Sequence, residues 1–128
     1  CLELGIKTRM LLAIPREKYV TSSVSDAGHE WTERFNGLCR QTELLELSES
    51  DELPRWLRSK NNYSVWERSN LWMLHQGLEL SADHLTLIAL WNGQSGDGPG
   101  GTHDMVNRAR SRGAKFIHLD STVLTAEN

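Results

Sequence analysis

Glycines crowd one stretch of this chain, Gly96-Asp97-Gly98-Pro99-Gly100-Gly101-Thr102-His103. The run follows the apolar segment His84–Trp91 and precedes a segment with helical spacing. Glycine lets backbone approach a ligand closely and adopt positive φ. Where a helix begins, unpaired N–H groups and the helix dipole favour an anion such as phosphate. These residues therefore read as an anion-binding loop. Gly96, Gly98, Gly100 and Gly101 would give the close approach. Asp97 would accept from a ribose hydroxyl or hold a metal. Thr102 would cap the helix or donate its hydroxyl. His103 would serve as a general acid or base, and Asp104 as a favourable charge in the first turn. Gly96, Gly98 and Gly101 match G-x-G-x-x-G, with Asp120 spaced for a ribose contact. The glycines stand several residues beyond the strand, and Pro99 stiffens the turn. No Lys follows the last glycine, so the phosphate loop of nucleotide hydrolases does not match. The competing reading is a turn that only connects two elements.

Other residues are candidates by position. Arg16, Glu17 and Tyr19 follow the apolar run Thr8–Ile14. Loops after parallel strands share one edge of a sheet, which places Arg16 and Tyr19 opposite the glycine loop. Arg16 is suited to pair with phosphate. Arg68 and Asn70 interrupt an otherwise apolar helix, so they are expected to face the site or a missing strand. Arg108, Arg110, Arg112 and Lys115 cluster where they would complement a helix C-terminus. The five His show no metal-ligand spacing and the two Cys stand far apart, so no metal site is expected. No nucleophile motif is present and Cys39 reads as a small core hydrophobe, which leaves catalytic residues unknown.

The elements that would position these groups follow from periodicity. Thr8–Ile14 reads as a buried strand stopped by Pro15. Arg16–Ser25 is polar and loop-like. With Asp26 as N-cap, residues 27–40 form an amphipathic helix through Trp31, Phe35, Leu38 and Cys39. Glu43–Leu47 is a weaker strand, and Ser48–Pro54 an acidic surface loop. Residues 62–80 make the longest helix, apolar on most sides. His84–Trp91 is nearly continuous in apolar residues, as a strand buried on both faces should be. Thr102–Arg112 is a helix with Met105, Val106 and Ala109 inward, ended by Gly113. Lys115–Leu119 is the last strand, and 121–128 a tail or the start of another element.

Short apolar strands joined by helix-length connections imply right-handed parallel crossovers. The predicted fold is α/β, a three-layer Rossmann-like sandwich with all four strands parallel in one sheet. Its 128 residues correspond to one domain by length. Cys1–Gly5 resembles the last turn of a helix, so an N-terminal strand is expected to be lacking. The whole, 1–128, then reads as a single α/β domain belonging to a larger domain or chain.

A net charge of −3 offers no basic field for nucleic acid. No apolar run reaches membrane length and no signal peptide is seen. Two Cys without a disulfide pattern suggest a reducing, cytoplasmic setting. Five Trp are many for this length, so some should lie at an interface or line a pocket.

The loop Pro99-Gly100-Gly101-Thr102 ahead of a helix resembles the GG-x-GT-type loop of the SLOG superfamily. Those Rossmann-like domains include cytokinin-activating phosphoribohydrolases and DNA-processing proteins. The chain also resembles, over most of its length, uncharacterised bacterial domains fused to tetratricopeptide repeats or nucleotide cyclases. Gly96–Thr102, Met105-Val106, and Tyr63 with Asn70 carry that likeness. The resemblance implies a binding or sensor module for a nucleotide-like, phosphate-bearing ligand within a larger bacterial signalling or defence protein. Hydrolytic superfamily members carry a Glu shortly after the loop Thr, where Met105 stands here. The alternatives are a nucleotide N-glycoside hydrolase, or an interaction domain using the Trp-rich helix. Fused domains, or a homo-oligomer through helix 62–80, are the partners expected besides the small ligand.

Overall fold

The computed structural model describes residues 1–81, 83–96 and 98–125. The chain is a mixed α/β protein with two small parallel sheets, consistent with a Rossmann-like fold. It divides into two compact units, residues 1–60 and 61–128.

In the first unit a short 3-10 turn, Leu2–Leu4, ends at Gly5 and leads into β1, Arg9–Leu12. Helix α1, Arg16–Ser23, and helix α2, His29–Gln41, follow, and then β2, Glu43–Glu46. Strands β1 and β2 pair in parallel from Arg9 opposite Glu43 to Leu12 opposite Glu46. Leu12, Ala13, Ile14 and Cys39 are buried here, so Cys39 does act as a small core hydrophobe.

Helix α1 occupies what reads as a polar loop in the sequence. No apolar stripe marks it, because Arg-Glu-Lys-Tyr-Val-Thr-Ser-Ser is polar on most sides. Local polar bonds hold it instead. Pro15 enters with φ −54. The Arg16 N–H donates to the Glu46 carboxylate at 2.6 Å. The Thr21 hydroxyl donates to the Glu17 carbonyl at 3.1 Å. Asp26 is not the N-cap of α2: it sits in a 3-10 turn, Ser25–Ala27, and Gly28 takes the cap position.

The second unit opens with helix α3, Val65–Leu80. Ser64 caps it by accepting the Glu67 N–H at 3.1 Å, a standard satisfaction of an orphan helix donor. Strand β3, Thr86–Trp91, helix α4, Thr102–Ser111, strand β4, Lys115–Asp120, and the short helix α5, Ser121–Thr125, complete the unit. Strands β3 and β4 pair in parallel from Thr86 opposite Lys115 to Trp91 opposite Asp120. Leu74, Ala89, Val106 and Ala109 form its buried centre.

Two expectations need correction. Among the described residues the four strands form two separate parallel pairs rather than one ladder. Strand β3 is also not buried on both faces. Leu87, Ala89 and Trp91 alternate with Ile88 and Leu90, which are 60% and 59% exposed. Their register partners Ile117 and Leu119 are 48% and 46% exposed. The run is continuously apolar, yet the second unit by itself leaves the Ile88 and Leu90 side chains exposed. Among the described residues no helix is long and apolar enough to cross a membrane.

Candidate functional site

The glycine loop joins the carboxyl end of β3 to the start of α4 and is anchored on α3. Gly100 has φ +88, a region that disfavours any side chain. A Cβ there would also lie 2.6 Å from the backbone nitrogen of Glu67 and 3.1 Å from the carbonyl carbon of Trp66. Gly100 therefore serves as a packing contact as well as a turn. The Asn70 side-chain amide donates to the Gly100 carbonyl at 2.8 Å. The Gly100 N–H donates to Asp104 Oδ2 at 3.2 Å, and the Gly101 N–H to the Gly98 carbonyl at 3.2 Å.

Behind the loop runs a charged chain. Arg108 Nε donates to both Asp104 oxygens at 3.0 and 2.9 Å. Arg108 Nη2 donates to Glu67 Oε1 at 2.6 Å. Glu67 is buried, and the other two are partly so. The hydrogen bond to Asp104 is the main cause that raises the Arg108 guanidinium above its ordinary value; burial opposes it, and the Asp104, Glu67 and Tyr63 charges add to it. Nearby, burial and then the Glu67 charge push the Tyr63 phenol above its ordinary value, against the pull of Arg68 and Arg108.

Gly101 is the N-cap of α4 and supplies no side-chain cap. The N–H groups of Thr102 and His103 consequently have no partner among the described residues. The Trp91 ring lies 5.6 Å from that of His103 and 5.5 Å from that of His118. Asn107 Nδ2 is 3.2 Å from His103 Nε2. The site thus offers two backbone donors, a hydroxyl, an imidazole and an indole at the end of a parallel strand.

The remaining expected residues fall elsewhere. Gly96 and Gly98 are exposed, Gly98 with φ +66 and open space around it. Asp97 lies outside the described residues. Thr102 is the first helical residue and not the cap. Asp120 is committed to α5: its Oδ1 accepts the Thr122 N–H at 2.8 Å and the Thr122 hydroxyl at 2.6 Å. Arg16 and Tyr19 belong to the first unit, whereas the loop belongs to the second. Arg16 begins α1 beside a cavity of about 390 Å³ lined by Pro15, Glu17, Leu44 and Glu46. The Tyr19 ring stacks on Phe35 at 5.6 Å.

Asn70 meets the loop, as its polar character on an apolar helix suggests. Glu67, Arg108 and Trp91 were not read as site residues. Signals existed for two of them. Ser64-x-x-Glu67 has capping-box spacing, and Asp104 and Arg108 stand four apart on one helix face. No protein-family model, curated protein or solved structure matches the chain.

Proposed function

We propose that the second unit is a binding module for a nucleotide-like, phosphate-bearing ligand, taken at Gly98–His103, within a larger bacterial signalling or defence protein. The observation that carries this reading is the pair of N–H groups at Thr102 and His103, without a partner among the described residues, at a helix start that follows a parallel strand. Such a terminus favours anions, and ligands bind at the carboxyl ends of parallel strands. The Trp91 and His103 rings add a surface against which a base can rest. Binding is preferred to N-glycoside hydrolysis because both carboxylates flanking Gly100 are engaged by Arg108.

A thermal-shift screen of nucleotides, followed by calorimetry on the best, tests the reading. Ligand binding to the native state raises its melting temperature. The expected result is stabilisation by at least one phosphate-bearing nucleotide, lost when Thr102→Pro removes one of these N–H groups at a position where proline is tolerated. Binding unchanged in Thr102→Pro would remove the helix start from the site.

A further inference from the structure

We infer that Glu67, Asn70, Asp104 and Arg108 form a latch that presents the loop and sets the charge an incoming anion meets. The inference rests on the binding reading above and deepens it by assigning positioning residues on two helices to the same site.

Two features of the geometry carry it. First, Gly100 is gripped from both sides: Asn70 holds its carbonyl and Asp104 its N–H. Its contact with the α3 backbone leaves no room for the loop to sink further. Second, Asp104 lies in the first turn of α4, two residues from Thr102, where a bare carboxylate would repel a second anion. Arg108 grips both Asp104 oxygens and offsets that charge. The same guanidinium also answers Glu67, which is 11% exposed in its side chain. With both carboxylates ionised, one cation balances two anions, so the trio keeps a net charge of −1. The charge of the trio therefore bears directly on an incoming anion, and each charged member moves it in a known direction.

Asp104→Asn keeps an oxygen for the Gly100 N–H while removing the excess negative charge. Arg108→Met keeps much of the side-chain volume but leaves two carboxylates uncompensated. A purely structural role would weaken binding in both variants. The charge role gives opposite signs.

The experiment measures inorganic phosphate and AMP binding by calorimetry at low ionic strength. The parent, Asp104→Asn, Arg108→Met and the core control Val106→Ala are compared. We expect tighter binding in Asp104→Asn and weaker binding in Arg108→Met, each by about fivefold for one unit charge nearby. Val106→Ala loses stability without touching the latch and should stay within about twofold of the parent. Raising the salt should shrink both charge effects. Hydrogen exchange gives a readout that needs no ligand. The Gly100 amide should be protected in the parent and exchange faster in Asn70→Ala, while the Ala109 amide stays protected. If phosphate and AMP bind the parent but Asp104→Asn and Arg108→Met shift the same way, the charge role falls and the binding reading stands. If neither probe binds the parent, the reading falls and takes the charge role with it. An unprotected Gly100 amide in the parent overturns the latch itself.

Discussion

Helices α1 and α4 begin alike and end up with different chemistry. Each follows the carboxyl end of a strand in a parallel pair, and each meets a carboxylate at its start. At α1 the carboxylate is Glu46, which accepts the Arg16 N–H and makes no ion pair among the described residues. At α4 it is Asp104, gripped by Arg108 at both oxygens. A helix start carrying a bare carboxylate already holds its anion. One whose carboxylate is compensated keeps its remaining N–H groups attractive to another. The two helix starts thus differ by a single arginine one turn along α4.

The largest expected effect probes the packing behind that difference. Gly100→Val must adopt φ +88 and push a side chain into the α3 backbone. A loss of about 3 kcal/mol or more is expected, since overpacking and forbidden backbone add. Gly98→Ala, with φ +66 but open surroundings, should cost only about 1 kcal/mol for the backbone alone. Equal losses in chemical denaturation would mean that Gly100 is a turn glycine and no more.

The next effect tests the ion pairs. Arg108→Met leaves Glu67 and Asp104 without their cation, and about 2–4 kcal/mol should be lost, toward the lower end because Arg108 is partly exposed. Glu46→Gln, at an exposed helix start, should cost about 1 kcal/mol or less. If the two substitutions cost the same, the contrast between the helix starts is false.

A smaller effect sharpens the electrostatics. In a Tyr19→Phe background Tyr63 is the only tyrosine. Its absorbance titration should have a midpoint above the ordinary value of 10.0, because burial and Glu67 disfavour the phenolate. Glu67→Gln should bring the midpoint down. A folded-state value raised in this way contributes stability that is present below pH 10 and lost as pH rises through the folded midpoint. A midpoint unmoved by Glu67→Gln would remove the carboxylate from Tyr63's surroundings.

The smallest effect concerns Asp120, whose bonds to Thr122 hold its carboxyl below the usual range. A lowered value contributes stability above the unfolded carboxylate range, lost as pH falls through the folded one. Exchange of the Thr122 amide should therefore speed up, relative to an unstructured peptide, only at pH below about 4. Asp120→Asn should weaken that acid dependence. An identical profile in the variant would assign the protection to some other group.

Much of the framework was legible in the sequence. Strong periodicity marked α2, α3 and α4, and apolar runs marked all four strands, because burial of one face leaves a repeating pattern. Helix α1 was illegible because its stability comes from Pro15, hydroxyl-to-carbonyl bonds and a carboxylate thirty residues away. The glycine loop was visible as a candidate site. Its attachment to α3 was not, since neither Gly100 nor Glu67 announces that the two backbones touch. The Asp104–Arg108 pair left its i,i+4 spacing as a signal, but the reach of Arg108 to Glu67 on another helix left none.

The sequence by itself determined an α/β chain with parallel strands and a glycine-rich turn ahead of an N-terminally acidic helix. Those properties are local, set by side-chain period, turn chemistry and composition. Tertiary structure alone decided that the strands pair two by two, that Gly100 packs on the α3 backbone, and that Arg108 reaches Glu67 as well as Asp104. The physical reason is that pairing, burial and charge compensation depend on distances between residues far apart in the chain. Residue types and spacing leave such distances open until the chain is folded.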